Sequence, residues 1–175
     1  MATVANAELA DDGFADPGLY FRPKRVTTLF VGESSPAQGT HFYRANSNLF
    51  RAVQAAFAAA FGPAVPSDEG FLRYFAGKGC WLVDLADQPV NRLGAAERKA
   101  AVSAGIPGLA EVIGATKPKA IIVIKSDIAT AVAQALQVAA LKKQPDVLVL
   151  RYPLRQYRTS FIAELADFLR DRASM

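Results

Sequence analysis

Short apolar runs alternate along the chain with segments of helical periodicity. The runs hold almost no polar residue, which is typical of strands buried on both faces of a parallel sheet. They predict four strands, at residues 28–31, 80–85, 120–124 and 147–150. Apolar residues spaced three and four apart predict helices at residues 48–61, 71–75, 95–104 and 107–115, a helix capped by Ser126 or Asp127 that runs to Ala140, and a last helix that starts at Thr159 or Ser160.

Strands separated by helices require crossover connections, and these are right-handed. We therefore predict an α/β fold, a three-layer α/β/α sandwich around a central four-stranded parallel sheet. Residues 21–175 form its single domain, and residues 1–20 form a flexible acidic arm. In such folds ligands bind outside the carboxyl ends of the strands.

Charge is distributed unevenly over the 175 residues. The net charge is +4, but residues 1–20 hold four acids and no base, so the remainder carries +8. A basic body favours polyanionic partners such as DNA. Ordinary solubilising charge is the open alternative.

Several classes of site are excluded by composition. The chain has one cysteine and one histidine, which rules out an intramolecular disulfide, a Cys-rich metal centre and a site built from several histidines. We expect Cys80 to be a buried, inert thiol. No metal, cofactor or membrane contact is expected, and the absence of a signal pattern or a long apolar run predicts a cytoplasmic protein. We expect a monomer.

An acidic residue follows the first strand directly. Glu33 is the only acid between Pro17 and Ser67. A carboxylate at this point can orient a water or stabilise a developing cation. It can also be a cap or the partner of a nearby arginine.

Aromatic and polar side chains are interleaved just beyond Glu33. His41, Phe42 and Tyr43 precede Asn48, a mixture that suits a nucleobase pocket because bases are held by stacking and edge hydrogen bonds. The open alternative is one core aromatic beside a loop tyrosine.

The other strands are also followed by polar residues. Asp84 ends the second, and Lys125 and Ser126, suited to a phosphate, follow the third. After the fourth come Arg151, Arg155 and Arg158 around Leu154, with no acid from residue 147 to 161. An apolar residue between arginines suits a wedge that enters a base stack while the arginines hold phosphates. A solvated charge cluster is the alternative.

These motifs resemble those of the uracil-DNA glycosylase superfamily. Residues 32–36 (Gly-Glu-Ser-Ser-Pro) are similar to the Gly-Glu-Ala-Pro-Gly form of its motif A. Residues 41–50 are similar to the mismatch-specific branch, and residues 82–89 resemble that branch's Leu-Thr-Asp-Leu-Val-x-x-Pro stretch. The order of elements agrees from about Val26 to Leu169.

The resemblance implies roles for individual residues. Glu33 would handle the catalytic water, Phe42 or else Tyr43 would stack on a flipped base, and Asp84 matches an aspartate of the mismatch-specific branch. Residues 152–155 stand at motif B, where Tyr152 replaces the histidine of many relatives and Leu154 or Arg155 is the wedge. The candidate catalytic residues are Glu33, Asp84 and Arg155; the candidate base-binding residues are His41, Phe42, Tyr43, Asn48 and Tyr152; the candidate DNA contacts are Ser34, Ser35, Gln38, Lys125, Ser126, Arg151, Leu154 and Arg158.

The expected function is that of a monofunctional DNA glycosylase in base excision repair, which hydrolyses the N-glycosidic bond of uracil or a related deaminated base. Two alternatives stay open. One is a non-catalytic protein that binds damaged or abasic DNA on the same fold. The other is an α/β protein that processes free nucleosides or other small molecules.

Overall fold

The computed structural model describes residues 17–37, 39–63 and 67–173. Seven helices and four strands follow one another in these residues. In chain order they are α1 (Pro17–Tyr20), β1 (Thr28–Gly32), α2 (Asn48–Phe61), α3 (Asp68–Gly77), β2 (Cys80–Asp84), α4 (Ala95–Ala104), α5 (Ile106–Thr116), β3 (Ala120–Ile124), α6 (Ala129–Ala139), β4 (Asp146–Leu150) and α7 (Arg158–Ala173). Two 3₁₀ turns, Phe42–Arg44 and Ser126–Ile128, precede α2 and α6.

The four strands form one parallel sheet in the order β2-β1-β3-β4. Thr28 of β1 lies opposite Cys80 on one side and Ala120 on the other, and Ala120 lies opposite Asp146 of β4. The predicted parallel four-stranded sheet is confirmed. Because the chain leaves β1 toward β2 and returns past it to β3, the topological switch point lies between β1 and β3.

Helices cover the sheet on both faces. α2 packs against α7, and α5 packs against α6. Right-handed crossovers place these two pairs on opposite faces of the sheet, which gives the predicted three-layer sandwich. Every residue of β1 and β3 is buried, as expected for central strands.

The predicted helices are present, with corrections at some of their ends. α2 begins after Ser47, whose Oγ accepts from the Phe50 N–H at 3.1 Å. Neither Ser126 nor Asp127 caps α6, because the 3₁₀ turn intervenes and Ile128 stands at the cap position. The last helix begins at Arg158, so Thr159 and Ser160 lie inside its first turn.

Strand β4 departs from the expectation of full burial. Its apolar sequence is that of an interior strand, but it stands at the edge of the sheet. Val147 is 47% exposed and Val149 is 42% exposed. The apolar sequence of β4, without alternating polar residues, therefore does not correspond to a strand that is covered on both faces.

The last residues of the predicted arm belong to the folded domain. The Gly18 carbonyl in α1 accepts from the indole Nε1 of Trp81 at 2.9 Å, and Arg22 stacks on the same indole. Residues 1–16 of the arm lie outside the described residues. The prediction for Cys80 is confirmed: it is 2% exposed, and burial raises the pKa of its thiol to about 12.

Candidate functional site at the carboxyl edge of the sheet

An ion pair spans the switch point between β1 and β3. Glu33 follows β1 and Lys125 follows β3, and the Lys125 Nζ lies 2.7 Å from the Glu33 Oε2. Opposite charges thus join β1 and β3, the strands on either side of the switch point, at their carboxyl ends. Ligands of doubly wound folds bind at this position.

A third charged side chain reaches the same carboxylate from α4. The Arg98 Nε donates to the Glu33 Oε1 at 2.6 Å, and the Arg98 Nη2 donates to the Oε2 at 2.8 Å. The Glu33 side chain is only 14% exposed. Such two-pronged, charge-assisted bonds fix geometry as well as adding energy. Asp127 lies 3.9 Å from Arg98 and 3.7 Å from Lys125, so two anions alternate with two cations.

The expected role of Glu33 in handling water stays a prediction. Both of its oxygens accept hydrogen bonds from cations, which is the arginine-partner interpretation that the sequence left open. Sequence reasoning missed Arg98. Arg98 lies 65 positions beyond Glu33. Its helix, α4, has no buried residue, so no local sequence pattern indicates that Arg98 faces Glu33.

Lys125 reaches Glu33 from an uncommon backbone conformation. Its φ is 94° and its ψ is 110°, a region that residues other than glycine rarely adopt. Its N–H donates to the Leu150 carbonyl at 3.0 Å, which extends the pairing of β3 with β4 by one step. Strain of this kind costs about 1–3 kcal/mol and is concentrated at functional sites.

A second carboxylate, that of Asp84, lies at the end of β2. Its Oδ2 accepts from the Ser35 Oγ at 2.8 Å. Its Oδ1 occupies the space beside Gly32, where a Cβ would lie only 2.4 Å away. The missing side chain of Gly32 therefore lets this carboxylate lie against the end of β1.

Tyr152, from the segment after β4, lies within electrostatic reach of Asp84. Burial raises the pKa of its phenol, and the negative charge of Asp84 raises it further. The phenol consequently stays a neutral hydroxyl at physiological pH and can donate a hydrogen bond. Asp84 and Tyr152 are thus two predicted site residues that are close enough for the charge of one to affect the pKa of the other.

The segments after β1 and β2 are joined by hydrogen bonds. The Leu85 N–H donates to the Gly32 carbonyl and the Ala86 N–H donates to the Glu33 carbonyl, at 2.9 and 2.8 Å. The Ser34 Oγ accepts from the Val90 N–H at 3.2 Å. Ser34 and Ser35, expected to contact DNA, therefore use their hydroxyls within the protein.

Phe42 does not line an open cleft, so its assignment as the stacking ring is wrong. It is 3% exposed, and its ring packs on Phe50 and Phe75 with centroids 5.7 and 5.2 Å away. The 3₁₀ turn that begins at Phe42 directs its ring into the core, against α2 and α3. The core-aromatic alternative is the correct one.

Tyr43 is also buried, and both of its polar and aromatic features are already used. Its hydroxyl accepts from the Leu82 N–H at 2.7 Å and donates to the Leu82 carbonyl at 3.1 Å. Phe21 stacks on its ring at 5.7 Å with an angle of 5°. This ring has no face left for a base, and its assignment to base binding is wrong.

His41 and Asn48 are at least partly exposed, but they lie at helix starts. The His41 Nδ1 accepts from the Tyr43 N–H at 3.2 Å and so caps the 3₁₀ turn. Asn48 is the exposed first residue of α2. Gln38 lies outside the described residues.

The segment after β4 projects from the same edge of the sheet. Pro153 is buried, while Leu154 is 48% exposed between the exposed Arg151 and Arg155. The Tyr157 N–H donates to the Leu154 carbonyl at 2.8 Å, which closes a tight turn before Arg158 opens α7. Leu154 is therefore an exposed apolar tip with an exposed arginine on either side along the chain, and its role as a wedge stays a prediction. Ser126 is exposed beside Lys125.

Two hollows lie away from this edge. One, of about 400 Å³, is lined by Tyr20, Phe21, Arg22, Arg73 and Ala76. The other, of about 420 Å³, adjoins it and borders the segments that lead into β1 and β2, with Lys24, Arg25 and Gly79 in its wall. Neither contains a predicted site residue.

Two further findings concern the described residues only. They hold no group of three or more His, Cys, Asp or Glu side chains that could bind a metal ion. Within them, no helix is both long enough and apolar enough to span a bilayer.

The sequence matches no model of a known protein family and no curated protein.

Proposed function

We propose that this chain binds DNA at the carboxyl edge of its sheet and hydrolyses the N-glycosidic bond of a flipped-out base, uracil or a related deaminated base. The observation that carries the proposal is the position of two carboxylates, Asp84 and Glu33, at the ends of adjacent strands. They share this edge with the exposed Leu154 and the arginines beside it. The proposal keeps the cytoplasmic location expected from the sequence.

DNA binding rests on the segment after β4. Arg151, Arg155 and Arg158 carry positive charge without an acid between them, so they can neutralise phosphates and release counterions. Leu154 is the one apolar side chain exposed at their centre. It would fill the gap left by an extruded nucleotide, as apolar wedges do in kinked DNA. Flipping costs a few kcal/mol, and less at a mismatch or in a single strand.

Asp84 and Tyr152 would act on the flipped nucleotide. As the bond from the sugar to the base breaks, the sugar becomes cation-like, and a nearby carboxylate stabilises that charge. A water then adds to the sugar carbon and gives up a proton, while the base leaves as an anion that gains one. The neutral Tyr152 hydroxyl is suited to donate to the base oxygen on which this negative charge develops.

Glu33 acts in this proposal as a positioning residue. It holds Arg98 and Lys125 side by side at the switch point. Their positive charges then lie near the leaving base, where they stabilise its anion. This assignment replaces water handling by Glu33 with a role that its observed bonds allow.

The test is incubation with oligonucleotides that contain uracil, hypoxanthine, xanthine or ethenocytosine, followed by alkaline strand scission. The wild type should cleave at one or more of them. Asp84→Asn should slow base release by about 100-fold or more, since it removes the stabilising charge. Asp87→Asn, which changes an exposed acid three residues away, is the matched control and should keep the wild-type rate.

Glu33→Gln separates chemistry from binding. Removing an acid from a basic edge should tighten DNA binding, while base release falls because Arg98 and Lys125 lose their anchor.

Equal base release by Asp84→Asn and wild type would contradict the proposed roles.

A second candidate, a DNA-binding protein without catalysis, is favoured by one observation. Both oxygens of Glu33 are bonded to cations, which leaves this carboxylate committed to structure. Tight, salt-dependent binding of the wild type with no base release from any substrate would support it. If DNA affinity were negligible and insensitive to salt, both candidates would fail.

A further inference from the structure

The outer edge of β4 has the properties of a strand that pairs with another strand. β4 ends the sheet, and residues 147–150 contain no charge, proline or glycine. Val147 and Val149 project from one face of the strand and are each more than two-fifths exposed. Natural edge strands are normally protected by charges, prolines or bulges, and these four residues have none of them.

The backbone N–H and C=O groups of Val147 and Val149 face away from the sheet. The Asp146 N–H donates to the Lys119 carbonyl, and the Leu150 carbonyl accepts from the Lys125 N–H. Backbone groups alternate in direction along a strand. Those of residues 146, 148 and 150 therefore face β3, and those of Val147 and Val149 face away from the sheet.

The opposite edge of the sheet is closed by the protein itself. There the Tyr43 hydroxyl accepts from the Leu82 N–H and donates to the Leu82 carbonyl, so it occupies outward-facing backbone groups of β2. α1 covers the same strand through the bond between Gly18 and Trp81. Among the residues that the structure describes, the chain thus blocks one edge with its own side chains and leaves the outward backbone groups of the other edge unpaired.

We propose that β4 pairs antiparallel with β4 of a second copy of this chain, in a register centred on Leu148. In this register Val147 of each copy lies opposite Val149 of the other, and both residues have outward-facing N–H and C=O groups. Each pair of Val147 with Val149 exchanges two hydrogen bonds, and the two-fold axis repeats this pair so that it occurs twice in the dimer. The exposed valines meet on one face, as β-branched cross-strand pairs that stabilise sheets.

Charge favours the antiparallel arrangement over the parallel one. Asp146, at the start of the strand, is already paired with Arg172 of α7, and Arg151 follows the strand. Antiparallel pairing keeps the two Arg151 side chains at opposite ends of the contact, whereas a parallel arrangement would bring these like charges together. The contact is closed by a two-fold axis, so it yields a dimer and not a filament.

Sedimentation equilibrium of the full chain tests the proposal. The wild type should be a dimer whose dissociation follows mass action. Val149→Lys should be a monomer, because it places two like charges in the interface. Val138→Lys, which changes an apolar residue 66% exposed on α6, is the matched control and should stay dimeric. A wild type that stays monomeric at every concentration it tolerates overturns the proposal.

Disulfide trapping tests the register, and it does not depend on the lysine variant folding. Leu148 of one copy lies opposite Leu148 of the other as a non-hydrogen-bonded pair. Their Cα atoms lie about 4.5 Å apart, which is within the range that a disulfide can bridge. Leu148→Cys should therefore give a covalent dimer on oxidation. Val147→Cys alone should not, because its own copy lies about 7–8 Å away on the diagonal. Mixing Val147→Cys with Val149→Cys should restore the cross-link.

The opposite pattern would overturn the register. It would be seen as cross-linking by Val147→Cys alone and none by Leu148→Cys. The wild-type Cys80 does not interfere, since it is buried.

Discussion

At the scale of single residues, the site depends on a side chain that is missing. Gly32 leaves room for the Asp84 carboxylate, and a Cβ there would lie 2.4 Å from the Oδ1. The Asp84 carboxylate would have to move, and its bond from Ser35 would be broken or lengthened. The glycine at this position thus accommodates the Asp84 carboxylate in its observed place, although the φ of Gly32 is not in the left-handed region.

Gly32→Ala should therefore destabilise the protein by about 1–3 kcal/mol, the usual cost of overpacking. Urea unfolding followed by circular dichroism measures the change. Gly114→Ala is the control, because this glycine lies inside α5 with open space around it. Alanine there should stabilise by roughly 0.5–1 kcal/mol. Equal effects of the two substitutions would show that Asp84 is not held against Gly32.

The same scale shows where sequence reasoning fails. Three aromatic rings in a row, His41 to Tyr43, indicate a base pocket only if one of them faces solvent. The His41 cap starts a 3₁₀ turn there, and the turn directs two of them inward. Such a rotation is set by tertiary packing on Phe50 and Phe75, and no local pattern reveals it. The partners of Glu33 are hidden for a similar reason, because Arg98 and Lys125 come from distant elements.

At the scale of elements, the strands were predictable to within about one residue. β1 and β3 are buried on both faces, so their composition alone marks them, and β3 is predicted with no error. α2 is also predicted at both ends, since its apolar stripe is long and Ser47 caps it. The position of β4 at an edge was not predictable, because an edge strand with an apolar outer side breaks the usual alternation.

At the junction of α4 and α5, Gly105 lies against the backbone of Leu85. A Cβ on Gly105 would lie 1.7 Å from the Leu85 carbonyl oxygen. Backbone cannot yield as a flexible side chain does. Gly105→Ala should therefore displace α4, and with it Arg98.

We expect Gly105→Ala to lower the free energy of unfolding by more than Gly32→Ala does, by roughly 3 kcal/mol or more. Parallel urea unfolding curves provide the comparison. A smaller effect than that of Gly32→Ala would mean that α4 moves freely on the sheet, and Arg98 would then be a poor anchor for Glu33.

The segment after β4 is expected to govern the salt dependence of DNA binding. Removing one side chain that binds a phosphate should lower the slope of log affinity against log salt by about 1. Arg155→Ala should show this smaller slope, and Leu154→Ala should weaken binding without changing the slope. Titration of a fluorescent oligonucleotide at several salt concentrations measures both. Lys143→Ala is the control, because this lysine precedes β4 at the amino edge of the sheet. If Lys143→Ala changed the slope as much as Arg155→Ala does, the DNA interface would lie elsewhere.

At the scale of the whole molecule, the buried Cys80 makes stability depend on pH. Burial raises the pKa of its thiol from 9.0 to about 12, so the folded state keeps a proton that the unfolded state loses. The stability this gives is fully present below pH 9.0 and is lost as the pH rises toward about 12.

Urea unfolding at increasing pH should accordingly show the wild type losing free energy of unfolding relative to Cys80→Ala. The difference between the two proteins isolates the thiol from Tyr152, whose raised pKa acts in the same direction. A difference that stays constant between pH 9.0 and about 12 would show that the thiol is not buried in solution.

The most direct measurement of the central claim is chromatographic detection of the free base after a single turnover on a uracil-containing oligonucleotide. The wild type should release uracil and leave an intact strand with an abasic site. Asp84→Asn should bind the same oligonucleotide and release the base far more slowly. Uracil released equally fast by Asp84→Asn, or never released by a wild type that binds the oligonucleotide tightly, would contradict it.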